Sequence, residues 1–163
     1  MPARIEEFRM PRYQEIPNVG LYLDQTVKYI NGYLAPLGCM EITTSMVSNY
    51  VKKGYISNPV RKQYSAEQIA YLFALSVLKN VISMENIARL FAMQRQVYTV
   101  QIAYDYFCEE LENVLRYTFG LKDEVEEVGS TSSAAKDMLR SVIIAVSHVT
   151  YLNSRFDELE NET

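Results

Sequence analysis

The sequence contains few of the residues on which catalytic and metal sites most often depend. Its 163 residues include no tryptophan, one histidine and two cysteines. His148 has no second histidine or cysteine at a spacing suited to a shared metal ion, and the chain has no glycine-rich phosphate-binding loop. The carboxylates between residues 109 and 127 form a run typical of a solvated surface rather than a matched acid and base. We therefore expect a protein that is not an enzyme, with no catalytic residues, no metal ion and no cofactor.

Long apolar runs are also absent from the sequence. The longest, Val142 to Val146, is far shorter than the roughly 20 residues that a membrane span requires. The first seven residues carry acids where an export signal would carry cations, and Cys39 and Cys108 form no closely spaced pair. We expect two buried free thiols, a cytoplasmic location and no membrane partner.

Glycine and proline, with six and five residues, are too rare to interrupt helices often. Apolar residues recur at helical spacing, and capping residues and glycines mark the helix ends, which predicts an all-α protein. The predicted helices cover residues 21–34, 44–53, 66–81, 84–93, 95–119 and 134–153. Residues 55–64 predict a short two-stranded wing, because Pro59 keeps Asn58 out of the helical region.

This pattern divides the chain into four parts. Residues 1–20 contain Pro2, Pro11 and Pro17 and predict an extended N-terminal arm, and residues 21–93 predict a compact helical domain with the wing. Residues 94–156 hold two longer helices, whose apolar faces exceed what that domain can cover. We expect them to mediate dimerisation or to bind an effector, and we expect residues 157–163 to form a frayed acidic tail.

The charges are distributed unevenly along the chain. The formal net charge is -4, from 16 basic and 20 acidic residues, but residues 42–66 hold four basic residues and no acidic one. Residues 109–163 hold five basic and twelve acidic residues. An acidic protein of this kind can still present a basic face, which the total charge hides.

The second predicted helix lies in this acid-free window and has one apolar and one polar face. Val47, Tyr50 and Val51 face the core, which leaves a polar stripe at helical spacing formed by Ser45, Ser48, Asn49 and Lys52. Asparagine can pair with adenine, serine can contact bases or phosphate, and lysine neutralises phosphate. The stripe favours contact with DNA, although a short surface helix needs a polar face in any protein.

The run from Met46 to Ile69 resembles the core of winged helix-turn-helix domains of the mercury-resistance-regulator (MerR) type. The matching features are Asn49-Tyr50, Gly54-Tyr55, Pro59, Arg61, Lys62-Gln63-Tyr64-Ser65 and the helix start Ser83-Met84-Glu85-Asn86-Ile87. The resemblance implies a winged helix-turn-helix domain over residues 21–93, with a short wing, followed by two longer helices. The chain departs from the regulator pattern at Ser48, Asn49 and Val51 and in the length of the wing.

A second resemblance covers more of the chain, most clearly residues 17–91. The segments that carry it are Leu21–Gln25, Thr43–Lys52 and Pro59–Ser65, which are similar to those of a bacterial family known only as a domain of unknown function. This resemblance brings no activity with it.

The MerR resemblance implies a DNA-binding transcriptional regulator that acts as a homodimer on double-stranded DNA. Helix 44–53 would enter the major groove, and the wing 55–64 would contact the backbone. The predicted contact residues are Thr44, Ser45, Ser48, Asn49, Lys52, Lys53, Arg61, Lys62, Gln63 and Tyr64.

Two further roles stay open. The chain could instead be a winged-helix protein–protein interaction module that does not bind DNA, with exposed tyrosines at the interface, such as Tyr13, Tyr22, Tyr33 and Tyr55. The last two helices could also hold a small-molecule or protein effector in a pocket lined by Tyr104, Phe107, Tyr151 and Phe156. Aromatic residues at helical spacing more often belong to a core.

Overall fold

The computed structural model describes residues 2–38, 40–129 and 132–162, and Cys39, one of the two predicted free thiols, lies outside them. Most of these residues belong to α1 (Leu23–Leu34), α2 (Thr44–Lys52), α3 (Ala66–Leu78), α4 (Met84–Val97), α5 (Val100–Thr118) and α6 (Ala134–Asn161). Short 3₁₀ turns occur at Ile5–Glu7, Tyr13–Glu15 and Ala35–Leu37. In the described ranges, β-structure is limited to isolated bridges. The prediction of a mainly helical protein is confirmed.

The helices enclose one hydrophobic core with α3 at its centre. Leu72, Phe73 and Leu75 of α3 are fully buried, and the helix contacts α1, α5 and α6. A helix that is apolar on nearly all sides is stable only when other elements surround it. Cys108 of α5 is fully buried as a free thiol, as predicted, and burial raises its pKa to about 12.

The two helices predicted over residues 84–93 and 95–119 are both present, but the boundary between them lies at Tyr98 and Thr99 instead of residue 94. α4 continues to Val97, so that Arg95 belongs to its last turn, and α5 begins at Val100. Between the two helices, Tyr98 is extended, and the Thr99 hydroxyl accepts a hydrogen bond from the N–H of Ile102 to cap α5. The predicted boundary is too early because apolar spacing continues across the corner and conceals it.

α6 extends to Asn161 instead of ending near residue 153, so residues 157–161, where fraying was predicted, are helical. Arg155 pairs with Glu158 at the next turn, which supports the additional residues. With 28 residues, α6 is about 42 Å long at 1.5 Å per residue. Neither α6 nor another helix in the described ranges is long and apolar enough to cross a membrane.

Residues 2–20 pack against the helices instead of forming the predicted extended arm. Phe8 and Met10 are fully buried in the core. Glu112 of α5 accepts a hydrogen bond from the Met10 N–H at 3.0 Å and two from the Arg12 guanidinium at 2.6 and 3.0 Å. The prolines exclude a regular helix in this segment, but they leave its apolar side chains able to pack.

Candidate nucleic-acid interface

α2 presents the predicted polar face to solvent. The helix begins after Thr43, whose hydroxyl accepts a hydrogen bond from the Met46 N–H at 3.1 Å. Val47 and Tyr50 are buried against the core. The exposed side chains of the helix are Thr44, Ser45, Ser48, Asn49 and Lys52.

Contacts at both ends hold α2 in place. The side-chain amide of Asn31 in α1 donates to the Ile42 carbonyl at 2.8 Å and accepts from the Ile42 N–H at 2.9 Å. After the helix, the Tyr50 carbonyl accepts from the Tyr55 N–H at 2.9 Å, and Gly54 has the left-handed φ of 81° that a C-terminal cap requires. The polar face is therefore carried by a helix that is fixed before its first turn and after its last.

The segment after α2 forms a minimal hairpin. The N–H of Val60 donates to the Gln63 carbonyl at 3.1 Å, and the N–H of Gln63 donates to the Val60 carbonyl at 3.0 Å. Arg61 and Lys62 form the turn between them, with exposed side chains. The two-stranded wing predicted over residues 55–64 is thus reduced to a two-residue turn and isolated bridges. We call Val60–Gln63 the hairpin tip.

The backbone of the hairpin tip is strained. Arg61 and Lys62 have φ of 53° and 65°. Two successive positive φ values are typical of a type I′ turn, for which Asn-Gly is the preferred pair. The left-handed region costs a residue with a Cβ roughly 1–2 kcal/mol. The hairpin tip therefore stores strain at the two positions that carry its cationic side chains.

Two contacts tie the hairpin tip to the body of the protein. Leu21 and Tyr64 form an antiparallel bridge with N–H to carbonyl distances of 3.1 and 2.7 Å. The side-chain nitrogen of Gln68 donates to the carbonyl and hydroxyl of Ser57, both at 3.0 Å, and its oxygen accepts from the Ser65 N–H. The capping pattern of Ser65 and Gln68 is visible in the sequence. The contact with Ser57 is not, because it depends on the path of the chain after α2.

The four cations of the acid-free window are all exposed, namely Lys52, Lys53, Arg61 and Lys62. Within residues 2–38, 40–129 and 132–162, no carboxylate forms a salt bridge with any of them. Other cations are paired, as Arg12 is with Glu112 and Arg140 with Glu110. The positive charge of this window is therefore open to an anionic partner.

Two of the predicted contact residues are less accessible. Tyr64 is 4% exposed and belongs to the core, and burial raises its pKa. Gln63 is half-buried, and its side chain lies so close to Gly20 that a Cβ there would come within 3.0 Å of it. The structure brings the other predicted residues to the surface, namely Thr44, Ser45, Ser48, Asn49, Lys52, Lys53, Arg61 and Lys62.

The four residues predicted to line an effector pocket do not come together. Tyr104 and Phe107 are buried in the wall of a cavity beside α3. Tyr151 stacks edge-on against Phe119, with ring centroids 5.3 Å apart, and Phe156 is 65% exposed. The structure therefore corrects the prediction of one shared pocket.

The tyrosines predicted for a protein interface are mostly packed. Tyr22 is exposed, whereas Tyr13, Tyr33 and Tyr55 are half-buried against the core. The described structure therefore offers no broad tyrosine surface at these four positions.

Comparison with known proteins assigns most of the N-terminal part of the chain. A family model described as "Domain of unknown function (DUF1836)" matches residues 11–107, which is more than half of the chain. The matched range contains α1 to α4, the hairpin tip and the start of α5, whereas α6 lies beyond it. No curated protein and no solved structure matched the chain.

Proposed function

The chain belongs to the family described as a domain of unknown function, DUF1836, and from this premise we propose that it is a DNA-binding transcriptional regulator. It carries a MerR-like winged helix-turn-helix, acts as a homodimer on double-stranded DNA in the cytoplasm and performs no catalysis. α2 enters the major groove, and the hairpin tip contacts the phosphate backbone.

One observation carries the proposal. Within the acid-free window, a fixed helix exposes a polar face and is followed by a strained turn that exposes two adjacent cations. Backbone strain of this kind is found most often at functional sites. Polar side chains suited to base edges, together with unpaired cations suited to phosphates, are the two contact types that a DNA interface combines.

The side chains divide into two roles. Ser45, Ser48 and Asn49 contact base edges, where asparagine can make paired hydrogen bonds to adenine. The cations Lys52 and Lys53 at the end of α2, together with the hairpin tip, contact phosphates and set the register of the helix in the groove.

The exposed face of α6 supports the homodimer. Apolar side chains recur along it at alternating spacings of four and three residues, which is the heptad pattern of a coiled coil. We call these residues the α6 seam, and they are Met138, Val142, Ala145, Val149, Leu152, Phe156 and Leu159. Val142 and Val149 are half-buried, and Val142 also packs against the core. The core-facing residues of α6, such as Leu139, Ile143 and Val146, lie on a different face. Four seam residues, Met138, Leu152, Phe156 and Leu159, are each about half exposed or more. A continuous exposed apolar surface of this kind is typical of a protein interface.

The composition of the α6 seam favours two strands. One heptad position holds Val142, Val149 and Phe156, and the other holds Met138, Ala145, Leu152 and Leu159. The valines at the first position and leucines at the second are the combination found in two-stranded coiled coils. The seam is about 30 Å long at 1.5 Å per residue. A second copy of the chain supplies a matching seam, and the dimer presents two copies of α2 to half-sites roughly 34 Å apart.

Salt-dependent DNA binding tests the function directly. The change Lys52→Ala plus Lys62→Ala removes two cations per protomer and four per dimer. Each phosphate that is no longer neutralised lowers the slope of log K against log salt by about 0.9, so the slope should fall by about 3.6. Fluorescence anisotropy with genomic DNA fragments at several salt concentrations measures this slope.

The matched control for this variant is Arg89→Ala plus Lys122→Ala, which removes the same charge outside the acid-free window and should leave the slope unchanged. Equal slopes for the two variants, or wild-type binding that does not respond to salt, would contradict the proposal. Partners that survive nuclease treatment would then favour the protein-interaction module.

Replacing the turn residues separates strain from function. Arg61→Asn plus Lys62→Gly introduces the preferred type I′ pair and should stabilise the fold by about 1 kcal/mol, because the left-handed penalty is relieved. The same variant should bind DNA at least about 10-fold more weakly, because four cations per dimer no longer neutralise phosphates. Thermal denaturation and anisotropy measure the two effects on one protein. A variant that is more stable and binds DNA as tightly as wild type would show that the turn has no role in binding.

A further inference from the structure

A cavity of about 50 Å³ lies between α3, α4 and α5 and opens to solvent. Leu78, Leu90 and Phe107 are buried and form its deep end, and Arg95 and Thr99 are the exposed residues that line it. The cavity therefore joins an apolar interior to a cationic mouth.

The walls of the cavity are apolar because the polar groups of the lining residues form hydrogen bonds outside it. The Tyr104 hydroxyl donates to the Pro11 carbonyl at 2.8 Å, and the Gln94 side chain donates to the Ala135 carbonyl at 2.7 Å. The Tyr98 hydroxyl is bonded to Ser133. These residues present rings and alkyl atoms to the cavity, and such a cavity excludes water in favour of an apolar occupant.

The cation at the mouth, Arg95, contacts an aromatic side chain. The guanidinium carbon of Arg95 lies 5.8 Å from the centroid of the Tyr71 ring, and Nη1 donates to the Tyr71 hydroxyl at a long 3.4 Å. Among the described residues, no carboxylate forms a salt bridge with Arg95. A carboxylate would be a stronger partner than the phenol, because a guanidinium binds it through two parallel charge-assisted hydrogen bonds.

We propose that this cavity is a binding site for a short-chain aliphatic carboxylate, with the alkyl chain between α3, α4 and α5 and the carboxylate on Arg95. The cavity has about a third of the roughly 150 Å³ of a cavity that binds benzene, so it admits a chain of at most about four carbons, whose carboxylate stays outside at the mouth. The charge at the mouth distinguishes a carboxylate from an alcohol or an amine of the same length.

Tyr71 connects the cavity with the hairpin tip. It contacts Arg95 at the mouth of the cavity, and it also lines a second cleft, which lies between residues 18–20 and the hairpin. A carboxylate that draws Arg95 away from Tyr71 frees the ring that forms part of this cleft. We infer that the ligand alters DNA affinity, and this effect rests on the proposed function, whereas ligand binding itself does not.

Isothermal titration calorimetry of the full chain with three probes of equal length tests the site. Butyrate should bind at least about 10-fold more tightly than butanol, and butylamine more weakly than both. In Arg95→Gln, butyrate and butanol should bind equally. Butyrate binding to the wild type that is absent, or no tighter than that of butanol or butylamine, would overturn the proposal.

A second variant tests the cavity itself. Ala103→Phe places a ring in the cavity and should abolish binding of all probes, whereas Ala92→Phe, on an exposed position of α4, should not. If Ala103→Phe fails to fold by circular dichroism, the Arg95→Gln comparison decides alone, because Arg95 is exposed. DNA anisotropy with and without butyrate is a separate measurement, and a result without change would leave the carboxylate site standing.

Discussion

Leu152→Glu is expected to convert the dimer into a monomer and to weaken DNA binding by at least about 100-fold. Leu152 lies in the α6 seam and is 51% exposed in the single chain, so a glutamate there costs the fold little. In the coiled coil the substitution would bury two carboxylates with no partner. Loss of the dimer weakens DNA binding, because two linked recognition helices bind with an effective concentration that typically adds about 100-fold or more in affinity.

Asn153→Glu is the matched control for this substitution. Asn153 is the next residue of α6, is exposed and borders the seam at a heptad position where coiled coils carry charged side chains, so it receives the same charge outside the apolar contact. Sedimentation equilibrium should show a dimer for wild type and Asn153→Glu and a monomer for Leu152→Glu, with similar circular dichroism for all three. A dimeric Leu152→Glu would place the homodimer contact elsewhere, and a monomeric wild type would remove the homodimer from the proposal.

The acidic half of the chain would give the proposed dimer a polarity. Residues 109–163 hold twelve acidic and five basic residues, whereas the acid-free window holds four basic ones. Phosphates would attract the window and repel the acidic residues, seven of which lie between residues 109 and 127 and four between residues 157 and 162. The charge distribution therefore favours the single orientation in which α2 faces DNA and the α6 seam lies away from it, and this steering weakens as salt screens it.

Local signals in the sequence were sufficient for the elements that carry the site. Ser65 and Gln68 predicted the start of α3, Thr43 and Thr44 the start of α2, and Gly54 its end, because capping depends on residues within one turn. The sequence predicted the turn of the hairpin tip but not its backbone conformation. A turn near Arg61 follows from Pro59, but two left-handed cations run against the residue preference that sequence reasoning relies on.

Tertiary contacts account for what the sequence could not predict. α6 has two apolar faces, one in the core and one exposed, and periodicity alone does not say which face is buried within the chain. For that reason Phe156 was grouped with Tyr104, although the structure places the first at the surface and the second in the core. The N-terminal segment was misjudged for a similar reason, since its partner, Glu112, is about a hundred residues away.

Glu112→Ala should destabilise the protein by about 3 kcal/mol, because it leaves the Arg12 guanidinium and the Met10 N–H without their acceptor at a partly buried site. Glu112 is 6% exposed, and Arg12 is held over it by two hydrogen bonds, so water replaces the carboxylate poorly. For a protein of this size, a loss of that order lowers the melting temperature by about 8 °C.

Glu15→Ala is the control that separates burial from pairing. Glu15 also binds an arginine and a backbone N–H of the same segment, at 2.8 Å each, from Arg9 and Arg12. It is exposed, however, and exposed pairs contribute less than about 1 kcal/mol. Thermal denaturation of both variants compares two similar groups of hydrogen bonds that differ in burial. Equal losses of stability would show that burial adds nothing to the Glu112 contacts, whereas a larger loss for Glu112→Ala identifies this carboxylate as one of the groups that hold residues 2–12 on α5, beside the Tyr104 hydroxyl on the Pro11 carbonyl.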